Sequence, residues 1–201
     1  MNAYLEGIGD NANSLSRYDA FLQNLGIEQN LVQLVHERLE YHSVCRILDI
    51  GCGDGGALFE LKKAFQSRVH TIGIDLRPAS FVLDEFIHAN ARDIPFPSKL
   101  SLILSFRALH EIGQIEKVLH KISQAMDSES LAILSIRSRT PVPHGFAPAG
   151  ILSSRDLAFL DSLEDRSDFD SASLLSIPFL GSSPNQAKNP MTGFLLLLKK
   201  T

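Results

Sequence analysis

Cysteine is almost missing: the 201-residue chain has two, Cys45 and Cys52. They flank an apolar run, a spacing that suits neither a disulfide framework nor a metal site, and a reducing compartment fits them. No run of lysine or arginine occurs. With 23 acidic against 19 basic residues and a formal charge of −4, the balance argues against a nucleic-acid backbone as partner. No stretch approaches the ~20 apolar residues needed to span a bilayer. The opening MNAYLEGIGD is polar and acidic where a secretory leader is basic and then apolar, so a cytoplasmic protein with no membrane segment is expected. Internal repeats and low-complexity segments are missing too, and nothing specifies an oligomeric state. What is abundant is core material: hydrophobic residues make up 44% of the chain, enough for one domain.

Residues 1–43 read as an N-terminal helical lid of that same domain, and 44–201 as its core. In the lid, Tyr4, Leu5, Tyr18, Phe21 and Leu22 could pack one or two short helices, and Leu31, Leu34, Val35 and Leu39 predict an amphipathic helix over Glu28 to His42. His36 and His42 on it are expected at the surface. Apolar runs then alternate with helical spacing. Strands are predicted at Cys45–Ile50, Val69–Asp75, Phe86–Ala89, Leu100–Phe106 and Leu131–Ile136, with helices over Gly56–Phe65 and Ile115–Met126. Pro78 can open a further helix at its first turn. This alternation predicts an α/β fold on a parallel sheet. The tail differs. Arg137 to Gly150 reads as a long loop, Ser153-Ser154 as the cap of a helix through Leu157, Leu160 and Leu163, and the runs Ser173–Phe179 and Gly193–Lys199 as a terminal antiparallel pair.

The stretch ILDIGCGDGG, residues 47–56, carries the chemistry. Glycines 51, 53 and 56 have the G-x-G-x-x-G spacing of a dinucleotide turn, and Asp75, 19 residues after Gly56, could hold a ribose. Asp49 speaks against that ligand. An acid at the end of the first strand sits beside the place of a pyrophosphate and would repel it, whereas it suits a cationic group.

Asp49, Gly51, Gly53 and Gly55 form D-x-G-x-G-x-G, which resembles the first motif of the class I S-adenosylmethionine-dependent methyltransferases. That resemblance covers roughly residues 14 to 199. It implies a single Rossmann-like doubly wound sheet, mostly parallel with an antiparallel C-terminal strand, helices on both faces and the helical lid. It also implies S-adenosyl-L-methionine as cofactor, with Gly51, Cys52 and Gly53 in the loop against it and Asp75, followed by Leu76, at the ribose. The segment Ala89-Asn90-Ala91-Arg92-Asp93-Ile94-Pro95-Phe96 is similar to the family's G-D-A-x-x-L-P-F, so Asn90 and Ala91 stand at the adenine. Asn replaces the usual Asp there; its carbonyl can still accept from the adenine amine, and Asp93 is a rival out of register. Leu100 to Ile112 resembles the fourth strand and its turn, which brings in Ser105 and Phe106. Ser101 replaces an Asp of that pattern, and Asp127-Ser-Glu-Ser130 replaces a Pro-Gly-Gly turn. Tyr18, in Ser16-Arg17-Tyr18-Asp19, is similar to an aromatic-acid pair of the lid.

Methyl transfer from a sulfonium needs alignment and dryness more than acid or base groups. If a base is used, His110 follows the fourth strand at the edge where open α/β sheets bind ligands, and Glu111 could orient it. Equally, His110 could pack and Glu111 could complement a helix dipole. Arg107 and His144 are candidates for an anionic substrate and for the lid, with plain exposure as the alternative. Cys52 packs in the family, and Asp54 reads as a turn residue. The expected function is therefore methyl transfer to an oxygen or nitrogen of a small molecule. The alternatives are a methyltransferase-like protein that only binds, and an NAD-dependent oxidoreductase.

Overall fold

The computed structural model describes residues 14–24, 26–106, 108–138, 159, 162, 171–179 and 191–200. Two N-terminal helices come first, α1 (Leu15–Asn24) and α2 (Leu31–Tyr41). The start of α2 is set by a capping box. The Asn30 carboxamide oxygen accepts from the Gln33 amide, and the Gln33 side chain accepts from Asn30, both at 2.9 Å. His36 is exposed on α2 as expected. His42, beyond its end, is only half-exposed, and its Nε2 is closed off from solvent without a hydrogen-bond partner.

The core follows as β1 (Cys45–Ile50), α3 (Gly56–Phe65), β2 (Val69–Asp75), β3 (Glu85–His88), β4 (Leu100–Ser105), α4 (Leu109–Ile112), α5 (Ile115–Ala125), β5 (Met126–Ser138), β6 (Ser171–Phe179) and β7 (Met191–Lys200). The seven strands lie in the order β3-β2-β1-β4-β5-β7-β6. Strands β1 to β5 pair in parallel, and β7 runs antiparallel to both β5 and β6. The expected terminal antiparallel pair is thus present. All six residues of β4 are buried, which is why that strand reads as one unbroken apolar run.

Alternation along the strands builds two cores. Ile47, Leu102 and Leu104 face Leu22, Leu34 and Leu58 of α1 to α3. Leu48, Ile50 and Ile103 face Val118, Leu119 and Ile122 of α5. Helices therefore cover both faces of a doubly wound sheet. The chain enters at β1, runs outward to β3, then crosses back to place β4 on the other side of β1. The crevice between the carboxyl ends of β1 and β4 is the topological switch point where such sheets hold ligands.

Three local expectations need correction. No helix opens at Pro78. The Ser80 and Phe81 amides donate to the Asp54 carbonyl at 3.0 and 3.1 Å, and Asp84 is tied to Thr71 and Lys62. The short link from β2 to β3 is thereby stretched across the glycine turn. Asp127–Ser130 does not separate α5 from a later strand; it bulges within β5. There, β4 advances from Leu100 to Leu102 while β5 advances from Met126 to Leu131. Glu129 takes φ 54° in that bulge, and its carbonyl accepts from Arg38 of α2 at 2.7 Å. The loop expected from Arg137 starts later, since Arg137 and Ser138 still belong to β5 and pair with Gly193 and Thr192 of β7; its remainder at 139–150, with His144, and the helix through Leu157, Leu160 and Leu163 lie outside the described residues. Among the described residues, no helix is long and apolar enough to cross a membrane.

Candidate functional site

The site grows from the end of β1. Gly51, Gly53 and Gly55 take φ of 81°, 61° and 84°, a left-handed backbone that glycine adopts without strain. Gly51 is also required by space, since a Cβ there would sit 2.2 Å from Ala108 Cβ in the turn after β4. The loop closes onto the end of β2. The Gly51 and Cys52 amides donate to the Ile74 carbonyl at 2.7 and 3.2 Å. The Gly53 amide donates to Asp75 Oδ2 at 2.8 Å, and the Arg77 amide donates to Asp75 Oδ1 at the same distance. Each carboxylate oxygen keeps a further lone pair for another donor.

Asp49 lies under this turn, 1% exposed. Tyr18 of α1 donates its hydroxyl to Asp49 Oδ2 at 2.7 Å. Asp49 Oδ1 is equally buried and has no hydrogen-bond partner. Burial pushes the Asp49 carboxyl up to about 7; the Tyr18 hydrogen bond acts against that rise, and the charge of Asp75 adds to it. The Tyr18 phenol is raised well above its ordinary range, by burial first and then by the charge and hydrogen bond of Asp49. Phe106, after β4, meets the Tyr18 ring edge-on at 4.9 Å and the Phe21 ring at 5.1 Å. An aromatic cluster thus joins α1 to the switch point. Asp19, the other member of the lid pair, faces elsewhere: its Oδ1 accepts from the Leu31 amide at the start of α2.

The remaining candidates fall around the same edge. Ser105 is buried, and its hydroxyl donates to the Ile50 carbonyl at 2.9 Å, tying β4 to β1. Leu76 is 65% exposed beyond β2, with its carbonyl held by His88 Nε2 at 2.7 Å. The Ala89 amide donates to the Asp75 carbonyl at 3.1 Å, which brings the segment with Asn90 and Ala91 beside Asp75. Asn90 Oδ1 already accepts from the Arg92 amide at 3.1 Å, and Ala91 is buried in the core. Asp93, the rival, is exposed and pairs with Arg92 at 3.4 Å.

Cys52 is buried, and burial together with Asp49 and Asp75 pushes its thiol well above the ordinary range. A Cβ at Gly73 would come within 2.7 Å of its sulfur, so the side chain fills space beneath the turn. Both cysteines are free. Asp54 behaves as a turn residue, its Oδ1 accepting from Gly56 at 3.0 Å. His110 and an exposed Glu111 lie on α4, which begins four residues after β4 ends. The His110 side chain and Arg107 are outside the described residues. Ala108 and Gly73, which leave room for the turn, carry no local signal in the sequence, because what they avoid is a contact with a distant segment.

A doubly wound sheet in this strand order, with a glycine turn after β1 and an acid at the end of β2, defines a class I methyltransferase fold. A family model described as a methyltransferase domain matches residues 47–129. A fatty-acid O-methyltransferase of Mycolicibacterium smegmatis is 26% identical over 146 residues, 64% of this chain and 53% of that protein. The chain spans about half the length of that curated relative. Among solved structures, phosphoethanolamine N-methyltransferase 2 of Haemonchus contortus, in complex with phosphomonomethylethanolamine and S-adenosylhomocysteine, superposes with a TM-score of 0.59 at 13% identity, over 99% of this chain and 56% of that one. The O-methyltransferase of a trans-AT polyketide synthase multienzyme of Brevibacillus brevis, in complex with S-adenosylhomocysteine, gives 0.57 at 16% identity, over 85% and 71%. At these identities the solved structures share the fold.

Proposed function

We propose that the protein binds S-adenosyl-L-methionine at the carboxyl ends of β1, β2 and β4 and transfers its methyl group to an oxygen or nitrogen of a small molecule. Asp49 carries this reading. A fully buried carboxylate with one oxygen held by Tyr18 and the other unpartnered is an electrostatic demand for a cation. It repels a pyrophosphate, and it suits a ligand that bears an ammonium and a sulfonium. The relatives' own names, an O-methyltransferase for fatty acids and an N-methyltransferase for phosphoethanolamine, support an oxygen or nitrogen acceptor.

The residues present fit that cofactor. The side-chain-free turn at Gly51 and Gly53, with Cys52 packed beneath it, gives the backbone close access. Asp75 accepts the ribose hydroxyls with its remaining lone pairs. Leu76, Asn90 and Ala91 bound the adenine, the second lone pair of the Asn90 carbonyl taking its amine. Ser105 and Phe106 bound the far side, and Tyr18 closes it from the lid. When bound, S-adenosylmethionine supplies a methyl group already activated by a sulfonium, so the protein has to align the acceptor and keep water out. The cluster of Tyr18, Phe21 and Phe106 does the second. His110 takes the proton that an oxygen or nitrogen acceptor sheds as it gains the methyl group, and Glu111 orients it. The two free thiols fit the cytoplasm.

The test is to incubate the purified protein with methyl-tritiated S-adenosylmethionine and an ultrafiltered cell extract. Tritium should pass to a small molecule, and Asp75→Ala should abolish that while the circular dichroism spectrum stays unchanged. Transfer at the wild-type rate by Asp75→Ala, or no transfer from the intact protein, overturns the reading.

A further inference from the structure

Lys121 is patterned as an ordinary polar position of α5, yet its ammonium is the point on which a distant loop closes. It donates to the carbonyl oxygens of Ala91 at 2.8 Å, Arg92 at 2.7 Å and Ile94 at 2.7 Å. An ammonium has three N–H donors, and here every one of them goes to the same loop. The Phe96 ring lies 5.2 Å from the same nitrogen. On the loop's other side the amides are spent locally. Arg92 donates to Asn90 Oδ1 at 3.1 Å, and Asp93 donates to the Asn90 carbonyl at 2.9 Å. Peptide carbonyls aimed at one point repel each other, and a cation with three donors is what reconciles them. The shape of residues 90–94 is therefore set from α5 rather than by their own sequence. The end of that loop is tied to Asp75 through the Ala89 amide, at 3.1 Å.

We propose that Lys121 is a positioning residue for the cofactor, holding residues 90–94 in the shape that presents Asn90 and Ala91 to the adenine. This rests on the S-adenosylmethionine reading above. Lys121 touches neither the cofactor nor the reacting atoms in this account. Its effect belongs in affinity and not in turnover at saturation. A groove of about 340 Å³ beside it, lined by residues that include Phe96, Lys117 and Gln124, admits water to the carbonyls once the ammonium is gone, so the loop loosens while the sheet stands.

Lys121→Met keeps the apolar stem and removes all three donors; Lys121→Arg restores a multidentate cation. Amide hydrogen exchange of the free proteins and calorimetric titration with S-adenosylhomocysteine are the two readouts. In Lys121→Met, the Arg92 and Asp93 amides should exchange about tenfold faster or more while those of β1 and β2 keep their rates. The dissociation constant should rise about tenfold as the competent fraction of the loop falls to about a tenth. Lys121→Arg should recover most of both. Wild-type exchange in Lys121→Met overturns the proposal, as does a loosened loop with unchanged affinity. Loss of protection spread through β1 and β2 also overturns it, since Lys121 would then hold the fold in general. A wild-type protein with no affinity for S-adenosylhomocysteine overturns the cofactor reading itself and with it the purpose assigned to Lys121, while the exchange readout of the free protein still decides whether Lys121 orders the loop.

Discussion

Replacing Asp49 by Asn should separate what the site costs the fold from what it does for the ligand. Burial lifts the Asp49 carboxyl from its ordinary 3.8 to about 7, so folding favours the neutral form. The sign follows. Asp49 favours the folded state fully only below about pH 4, and that share is lost as the pH rises to about 7, a shift of about three units, or about 4 kcal/mol. Asn has nearly the same shape, keeps an acceptor for the Tyr18 hydroxyl and does not titrate. Urea unfolding of both proteins without ligand, at steps from about pH 4 to about pH 7, should therefore show wild type losing stability relative to Asp49→Asn by an amount of that order. Taking the difference between the two cancels the other carboxylates, whose loss of pairing at low pH works in the opposite direction. Binding should show the same group from the other side. A cationic ligand selects the ionised carboxylate, about one molecule in a hundred at pH 5 and half of them at pH 7, so wild-type affinity for S-adenosylmethionine should rise about fifty-fold over that interval. Asp49→Asn should bind weakly and show no such rise. A stability difference that stays flat with pH would refute the burial argument. A wild-type affinity that falls between pH 5 and pH 7 would refute the claim that Asp49 meets a cation.

Gly51→Ala should destabilise the protein by about 3 kcal/mol or more in thermal unfolding, combining left-handed strain with the collision at Ala108; adding Ala108→Gly should recover the part due to the collision, and a double variant no better than the single one would locate the cost in the backbone alone. Asp84 accepts from the Thr71 amide, the Thr71 hydroxyl and Lys62 at 2.8, 2.9 and 2.8 Å, so Asp84→Asn should cost about 1–3 kcal/mol at neutral pH. Burial raises the Asp84 carboxyl, but Lys62 and Thr71 together bring it below its ordinary value, so its contribution is present above about pH 4 and is lost as the pH falls further; urea unfolding of wild type and Asp84→Asn should converge in acid. His110→Ala, once an acceptor is known, should lower turnover by about a hundredfold or more with little change in cofactor affinity, and turnover at the wild-type rate would retire it as a base.

Much of the sheet could be read from residues alone because its central strands are buried on both faces. Cys45–Ile50 and Val69–Asp75 are found at the predicted bounds, and α3 spans Gly56–Phe65 as predicted. The glycine turn was legible for a related reason: positive φ leaves a mark in the sequence, and Asp49 and Asp75 stand at fixed offsets from it. What escaped depends on contacts between distant segments. The stretched link after Pro78 follows from amides captured by the Asp54 carbonyl, and the bulge at Asp127–Ser130 from strand register and from Arg38. Lys121 looks like any solvated helix lysine until the loop before β4 folds over it. Tyr18 matches its motif by resemblance alone, but its bond to Asp49 depends on α1 lying over the end of β1.

A switch point built around a buried Asp49 carboxylate should take a cation-bearing nucleoside and not a dinucleotide. Calorimetric titration of the purified protein, with S-adenosylmethionine and with NAD in parallel runs at pH 7.5, tests it most directly. S-adenosylmethionine should give a saturable heat that Asp75→Ala abolishes, and NAD should give none. Tight binding of NAD with none of S-adenosylmethionine would contradict it.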